Sequence, residues 1–190
     1  MVMKHFNSKL QLTRELEYEV WRQCNMIGIK GADPYGLSLP LLNAGFDVRL
    51  TTQRRDVFDR KAWLRRVLRF FTREEAELSL FGMRENRRRA LAKDLPVEYK
   101  RPTVARILEM VDARFVPVAL VHMGVVHGLN IPHWVVVTDA KDEKITFNDP
   151  YPPKGRRGLK LPHDKFQKIL DDIGTKIGLS PSIVFVRRDQ

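Results

Sequence analysis

An α+β domain is what this chain predicts, on three observations. Up to about residue 113, apolar side chains recur at helical spacing behind capping residues; beyond about residue 116, β-branched and aromatic runs of strand length take over; polar turn residues separate those runs. Helices first and strands second imply a helical half over about 12–113 packed on a mostly antiparallel sheet half over about 114–190, with a cleft between them. At 190 residues and 43% apolar content, the chain suits one domain, 1–190, with length enough to bury a core.

Leu12 to Cys24 reads as a helix capped by Thr13, with Leu16, Val20 and Trp21 at helical spacing, and Gly28 to Gly31 breaks it. Asp33-Pro34 opens the next helix, because Asp is a strong N-cap and Pro suits the first helical position; Gly45 ends it. Phe46 to Thr52 reads as a short strand. Two basic amphipathic helices follow, from about Asp56 to Phe71 and from about Arg73 to Lys93, the second introduced by Thr72 and Glu75 in capping-box spacing. An extended piece at Val97 to Lys100 leads to a helix over Thr103 to Ala113. Val116 to Met123, His133 to Asp139, Ile145 to Asn148 and Ser182 to Val186 read as strands, with a helix near Asp164 to Lys176.

The bulk properties narrow the function classes. No run approaches the roughly 18 apolar residues of a membrane span, since the most apolar stretch, Phe115 to Val126, is broken by Pro117 and His122. The first residues lack the apolar core of a signal peptide, so a soluble cytoplasmic protein is expected. Cys24 is the only cysteine, which rules out an internal disulfide and a multi-cysteine metal site. The net charge of +11 favours anionic partners: nucleic acid, acidic lipid or an acidic polypeptide. On the expected helix from Asp56, Lys61, Arg65 and Arg69 recur every four residues opposite Val57, Leu64 and Leu68, a solvated face or an anion-binding stripe.

The segment richest in chemistry runs from His133-Trp134-Val135-Val136-Val137-Thr138-Asp139, through a polar reversal, to Ile145-Thr146-Phe147-Asn148-Asp149-Pro150. An antiparallel return brings the two ends together, although His133 and Asp149 stand 16 positions apart in sequence. A buried carboxylate beside an imidazole fixes its tautomer and stabilises the imidazolium, as a general base requires. A histidine packed at a strand end and an aspartate capping a turn before proline are the plainer readings of the same residues. His122, His127 and His133 are irregularly spaced and lack a cysteine or glutamate partner, so no metal site is expected.

Together with Gly31-Ala32-Asp33-Pro34-Tyr35-Gly36-Leu37 and the upstream Glu17-Tyr18-Glu19-Val20-Trp21-Arg22, this segment resembles the papain-like cysteine peptidases, specifically the group related to the bacteriocin-leader-processing (double-glycine) peptidases. In that group a Gly-Cys-Gly-Pro-Tyr/Phe-Gly turn opens the central helix, and a His-Trp/Phe-Val-Val-Val strand pairs with one ending in Asp-Pro. The likeness covers about residues 12–150. It implies a papain-like fold and a hydrolase that cleaves a peptide amide through a Cys/His/Asp triad, with no cofactor and a peptide or protein substrate. The triad positions would be Ala32, His133 and Asp149.

The chain departs from the family at the nucleophile. A methyl group cannot attack a carbonyl, so with Ala32 no covalent catalysis is expected at that position. An engineered Cys-to-Ala change, a natural pseudoenzyme that keeps the cleft for binding, and a nucleophile relocated to Cys24 are the three accounts to weigh. Asp33 replaces the usual glycine. An upstream side-chain amide completes the family's oxyanion site; Asn25 is the candidate, with Gln23 the other amide nearby. Asp33, Tyr35, Trp134 and Tyr151 are the expected cleft residues, Tyr35 and Trp134 as core or cleft-wall aromatics and Tyr151 heading an extended basic loop that reaches Gly158. A non-catalytic peptide-binding module and a nucleic-acid-binding protein using the Arg-rich helices are the rival functions.

Overall fold

Side-chain caps fix the helix starts. In the computed structural model, which describes residues 1–24, 31–56, 72–150 and 155–188, Thr13 accepts the Leu16 amide at the head of α2 (Arg14–Gln23), which follows a short α1 (Val2–Phe6). Asp33 accepts the amides of Tyr35 and Gly36 at the head of α3 (Pro34–Asn43), with Pro34 in the first turn and Gly45 at φ 75° beyond its end. β1 (Phe46–Thr52) follows. Thr72 and Glu75 close a reciprocal capping box on α4 (Arg73–Leu91). The helix expected over Asp56 to Phe71 lies, from residue 57 on, outside the described residues.

The remaining elements are β2 (Val97–Tyr99), α5 (Val104–Asp112), β3 (Val116–His122), α6 (Gly124–His127), β4 (Pro132–Lys141), β5 (Lys144–Asp149), β6 (Arg156–Pro162), α7 (His163–Asp172) continued by a π-helical turn at Ile173–Ile177, and β7 (Ser182–Arg188). Among the described residues, seven strands form one sheet in the order β2-β1-β7-β3-β4-β5-β6, with β1 and β2 parallel and every other neighbour antiparallel. No helix among the described residues is long and apolar enough to cross a membrane.

Two expectations are corrected. The chain does not divide into a helical half and a sheet half: β1, from the early segment, pairs with β7 from Phe46↔Arg188 to Thr52↔Ser182. Helices cover both faces of that sheet. On one face, Val121, Val135, Val137 and Phe147 pack against Ile107 of α5 and Phe166 and Ile169 of α7. On the other, Val48, Leu50, Val118 and Val136 pack against Tyr35 and Leu39 of α3 and Ala90 of α4. Leu39 is wholly buried, which contributes on the order of 2 kcal/mol. Second, the basic stretch read as loop up to Gly158 turns into strand at Arg156. Its charged residues suit an exposed sheet edge, and Leu159 and Leu161 supply the inward alternation.

One irregularity decides which side chains meet. Asp142 and Glu143 both take positive φ, 50° and 56°, in a two-residue turn that sets Lys141 opposite Lys144. From there the register runs to Asp139↔Thr146, then slips at Thr138 and resumes at Val137↔Phe147 and Val136↔Asn148. Asp149 therefore stands one step beyond, level with Val135, on the face that alternation also assigns to His133. Without the extra residue it would come level with Val136, on the face of Trp134.

Candidate active site

The C-terminal ends of β1, β3 and β5 and the starts of β4 and β7 share one rim of the sheet. The first turn of α3 reaches the same rim: the Tyr35 hydroxyl lies 3.5 Å from the Arg55 carbonyl, just past β1, and 3.4 Å from the Tyr99 hydroxyl.

His133 and Asp149 meet there. Nε2 of His133 lies 3.1 Å from Oδ1 of Asp149, whose side chain is fully buried while the histidine keeps partial exposure. The second carboxylate oxygen, Oδ2, lies 2.6 Å from Nε2 of His127, a buried imidazole on α6 that the sequence did not single out for this role. Burial pushes His133 below the ordinary imidazole range; the Asp149 charge opposes that shift and His127 adds to it.

Ala32 lies at this rim beside the next residue of the strand: the Trp134 indole Nε1 donates to the Ala32 carbonyl at 2.8 Å. The Trp134 side chain leaves β4 on the α3 face and that of His133 on the other, so the residue-32 backbone is tied to the strand directly adjacent to the histidine. Asp33, expected in the cleft, is buried instead, and Tyr35 takes the core place of its two readings. Asp33 caps α3 through Oδ1, 2.9 Å from the Tyr35 amide and 3.1 Å from that of Gly36, and Tyr35 is core. Oδ2 of Asp33 accepts from Nδ2 of Asn86 on α4 at 2.6 Å, and the same Nδ2 donates to the Cys24 carbonyl at 3.0 Å. Burial raises the Asp33 carboxyl to about 6 despite those hydrogen bonds.

Asn86 was missed because it sits in a run of arginines, where only its depth in the fold distinguishes it. Gly36 makes the cluster feasible: a Cβ there would stand 2.6 Å from the Cys24 carbonyl and 2.7 Å from Nδ2 of Asn86.

Other candidates resolve plainly. Cys24 is buried at the end of α2, and burial, with the Asp33 charge adding to it, pushes its thiol up to about 12, so it cannot supply a thiolate near neutral pH. Gln23 turns to Glu19 and Asn43. Asn25 and Tyr151 lie outside the described residues. His122 accepts the Gly124 amide at Nδ1, 3.3 Å away, so its Nε2 carries the proton and donates to Asn130 at 2.9 Å; this is a structural histidine. On α4, Arg73 and Arg88 pair with Glu77 and Glu85 of their own helix; the Lys61, Arg65 and Arg69 stripe lies outside the described residues.

Trp134 and Pro150, the residues after His133 and Asp149, also border an apolar groove of about 500 Å³. It runs between α1, α2 and α3 along the face of Val118 and Val136, with Glu17 and Thr13 among its few polar neighbours.

A family model described as the Peptidase_C39-like family matches residues 1–169. No curated protein matches the chain.

Proposed function

The chain belongs to the Peptidase_C39-like family, and from that premise we propose that its rim is a Cys/His/Asp peptidase centre lacking the nucleophile, where a peptide binds and is not cleaved through residue 32. The observation that carries this reading is the buried Asp149 carboxylate beside His133, at the end of the sheet where Trp134 ties down the Ala32 carbonyl.

A thiol at position 32 would stand at the start of α3. His133, with Nε2 held by Asp149, would take its proton at Nδ1, and the thiolate would attack the peptide carbonyl. Collapse of the tetrahedral intermediate expels the amine, to which His133 returns the proton, and leaves a thioester. Water, deprotonated by the same imidazole, then releases the acid and restores the thiol. No cofactor enters these steps. The apolar groove starting at Trp134 and Pro150 offers a bound peptide a place for apolar side chains. With the methyl of Ala32 in place, binding is the step that remains.

Restoring Ala32→Cys tests the reading. The variant should gain an iodoacetamide-sensitive thiol, distinct from the buried Cys24, together with peptide cleavage that His133→Ala abolishes. A folded Ala32→Cys protein that neither alkylates at residue 32 nor cuts any member of a mixed peptide library would refute the peptidase centre. Peptide binding by the unaltered chain, followed calorimetrically, tests the binding step on its own.

A further inference from the structure

The Asp149 carboxylate faces two imidazoles. Its shorter contact, 2.6 Å, is to His127, and the longer, 3.1 Å, is to His133. The side chains of His127 and Asp149 are almost fully enclosed, whereas His133 is the member of the trio with access to the outside. His127 ends α6, a single helical turn whose neighbours Val126, Leu129 and Ile131 pack on the core beneath, and its amide bonds back to Met123. The ring is thus held from behind by packed chain and points at the carboxylate.

Resting on the reading of His133 and Asp149 as the base half of the site, we infer that His127 is a positioning residue. Its imidazole holds Oδ2 so that Oδ1 faces His133, and the two rings share one counter-charge.

A donor on Oδ2 restrains rotation of the carboxylate about its terminal torsion, because turning the group toward another partner would break a short buried contact. One carboxylate neutralises one imidazolium; a charge on both rings would set two cations against a single anion in a largely buried site, which is unfavourable at low effective dielectric. A charge on His127 therefore opposes one on His133, in the direction that lowers the His133 pKa.

Among the described residues, the charged groups acting on His133 are Asp149, from β5, and His127, from α6. In β6, Arg156 stands opposite Asp149 in the register and is exposed. On β3, His122 is engaged by Asn130 and turns toward Asp172, 3.9 Å away. Neither is among the groups that act on His133.

The experiment is an NMR titration of the imidazole protons in the unaltered chain, in His127→Gln and in Asp149→Asn. Glutamine can still donate to Oδ2 and keep the carboxylate in place, but it carries no charge. In His127→Gln the His133 midpoint should rise, since the carboxylate then serves one ring; in Asp149→Asn it should fall. An unmoved His133 midpoint in a folded His127→Gln protein overturns the inference, because a purely structural His127 would alter stability and leave that titration alone. The readout requires no activity, so it stands or falls separately from the Ala32→Cys result.

Discussion

The indole of Trp134 and the carbonyl of Ala32 are joined by a hydrogen bond of 2.8 Å, linking strand β4 to the residue just ahead of helix α3. Through it, the strand that carries His133 also holds the backbone where a nucleophile would stand. Replacing Trp134 by Phe keeps most of the apolar contact and deletes the donor, leaving the half-buried carbonyl without it. The expected loss is about 1–3 kcal/mol of stability in denaturant unfolding. In the Ala32→Cys background, alkylation of residue 32 should also slow; an unchanged rate would show that the bond does not position this residue.

Gly36 makes a second, steric prediction. A methyl at this position would approach the Cys24 carbonyl, Nδ2 of Asn86 and Oδ2 of Asp33 at 2.6, 2.7 and 2.9 Å, all closer than real Cβ contacts. Because one of these is backbone and the other two belong to a buried hydrogen-bonded pair, none can yield cheaply. Gly36→Ala should therefore destabilise the protein by about 1–3 kcal/mol or more, as overpacking does. Chemical denaturation of Gly36→Ala checks this, and stability equal to the unaltered chain would mean that the Asp33–Asn86 cluster is not packed as described.

The site was legible in the sequence to different depths. Caps are local, so Thr13, Asp33 and the Thr72/Glu75 box gave helix starts that the structure matches closely. The meeting of His133 with Asp149 was also readable, from two apolar runs and a polar turn, but its cause was not. A strand return alone leaves the face of Asp149 undecided, and the slip at Thr138, which no residue type announces, puts it on the side of His133. His127, weighed in the sequence only for a metal site and a cleft loop, and Asn86 could not be read as partners of Asp149 and Asp33 for a similar reason: each reaches its partner across a fold contact spanning 22 and 53 positions, respectively. Asp33 was read as a cleft residue, yet a helix head turned into the core hides it, and Tyr35 takes the core place of its two readings.

Asp33 gives a pH prediction whose sign follows from its burial. Its carboxyl titrates at about 6 in the folded chain against an ordinary 3.8, with desolvation the leading cause. Between those two values the folded state holds a proton that the unfolded state has released, so stability from this group is present below about pH 4 and is lost as pH rises toward 6. The displacement corresponds to about 3 kcal/mol at roughly 1.4 kcal/mol per unit, net of the hydrogen bonds from Asn86, Tyr35 and Gly36 that favour the anion. Asp33→Asn removes the titration. Comparing unfolding free energies of the two proteins from pH 4 to 7, the unaltered chain should lose stability relative to Asp33→Asn as pH rises, with the change concentrated below about pH 6. Parallel curves across that range would mean that Asp33 is ionised in the folded protein at ordinary acidity, solvated or countered by charge, and would undo the account of it as a desolvated cap.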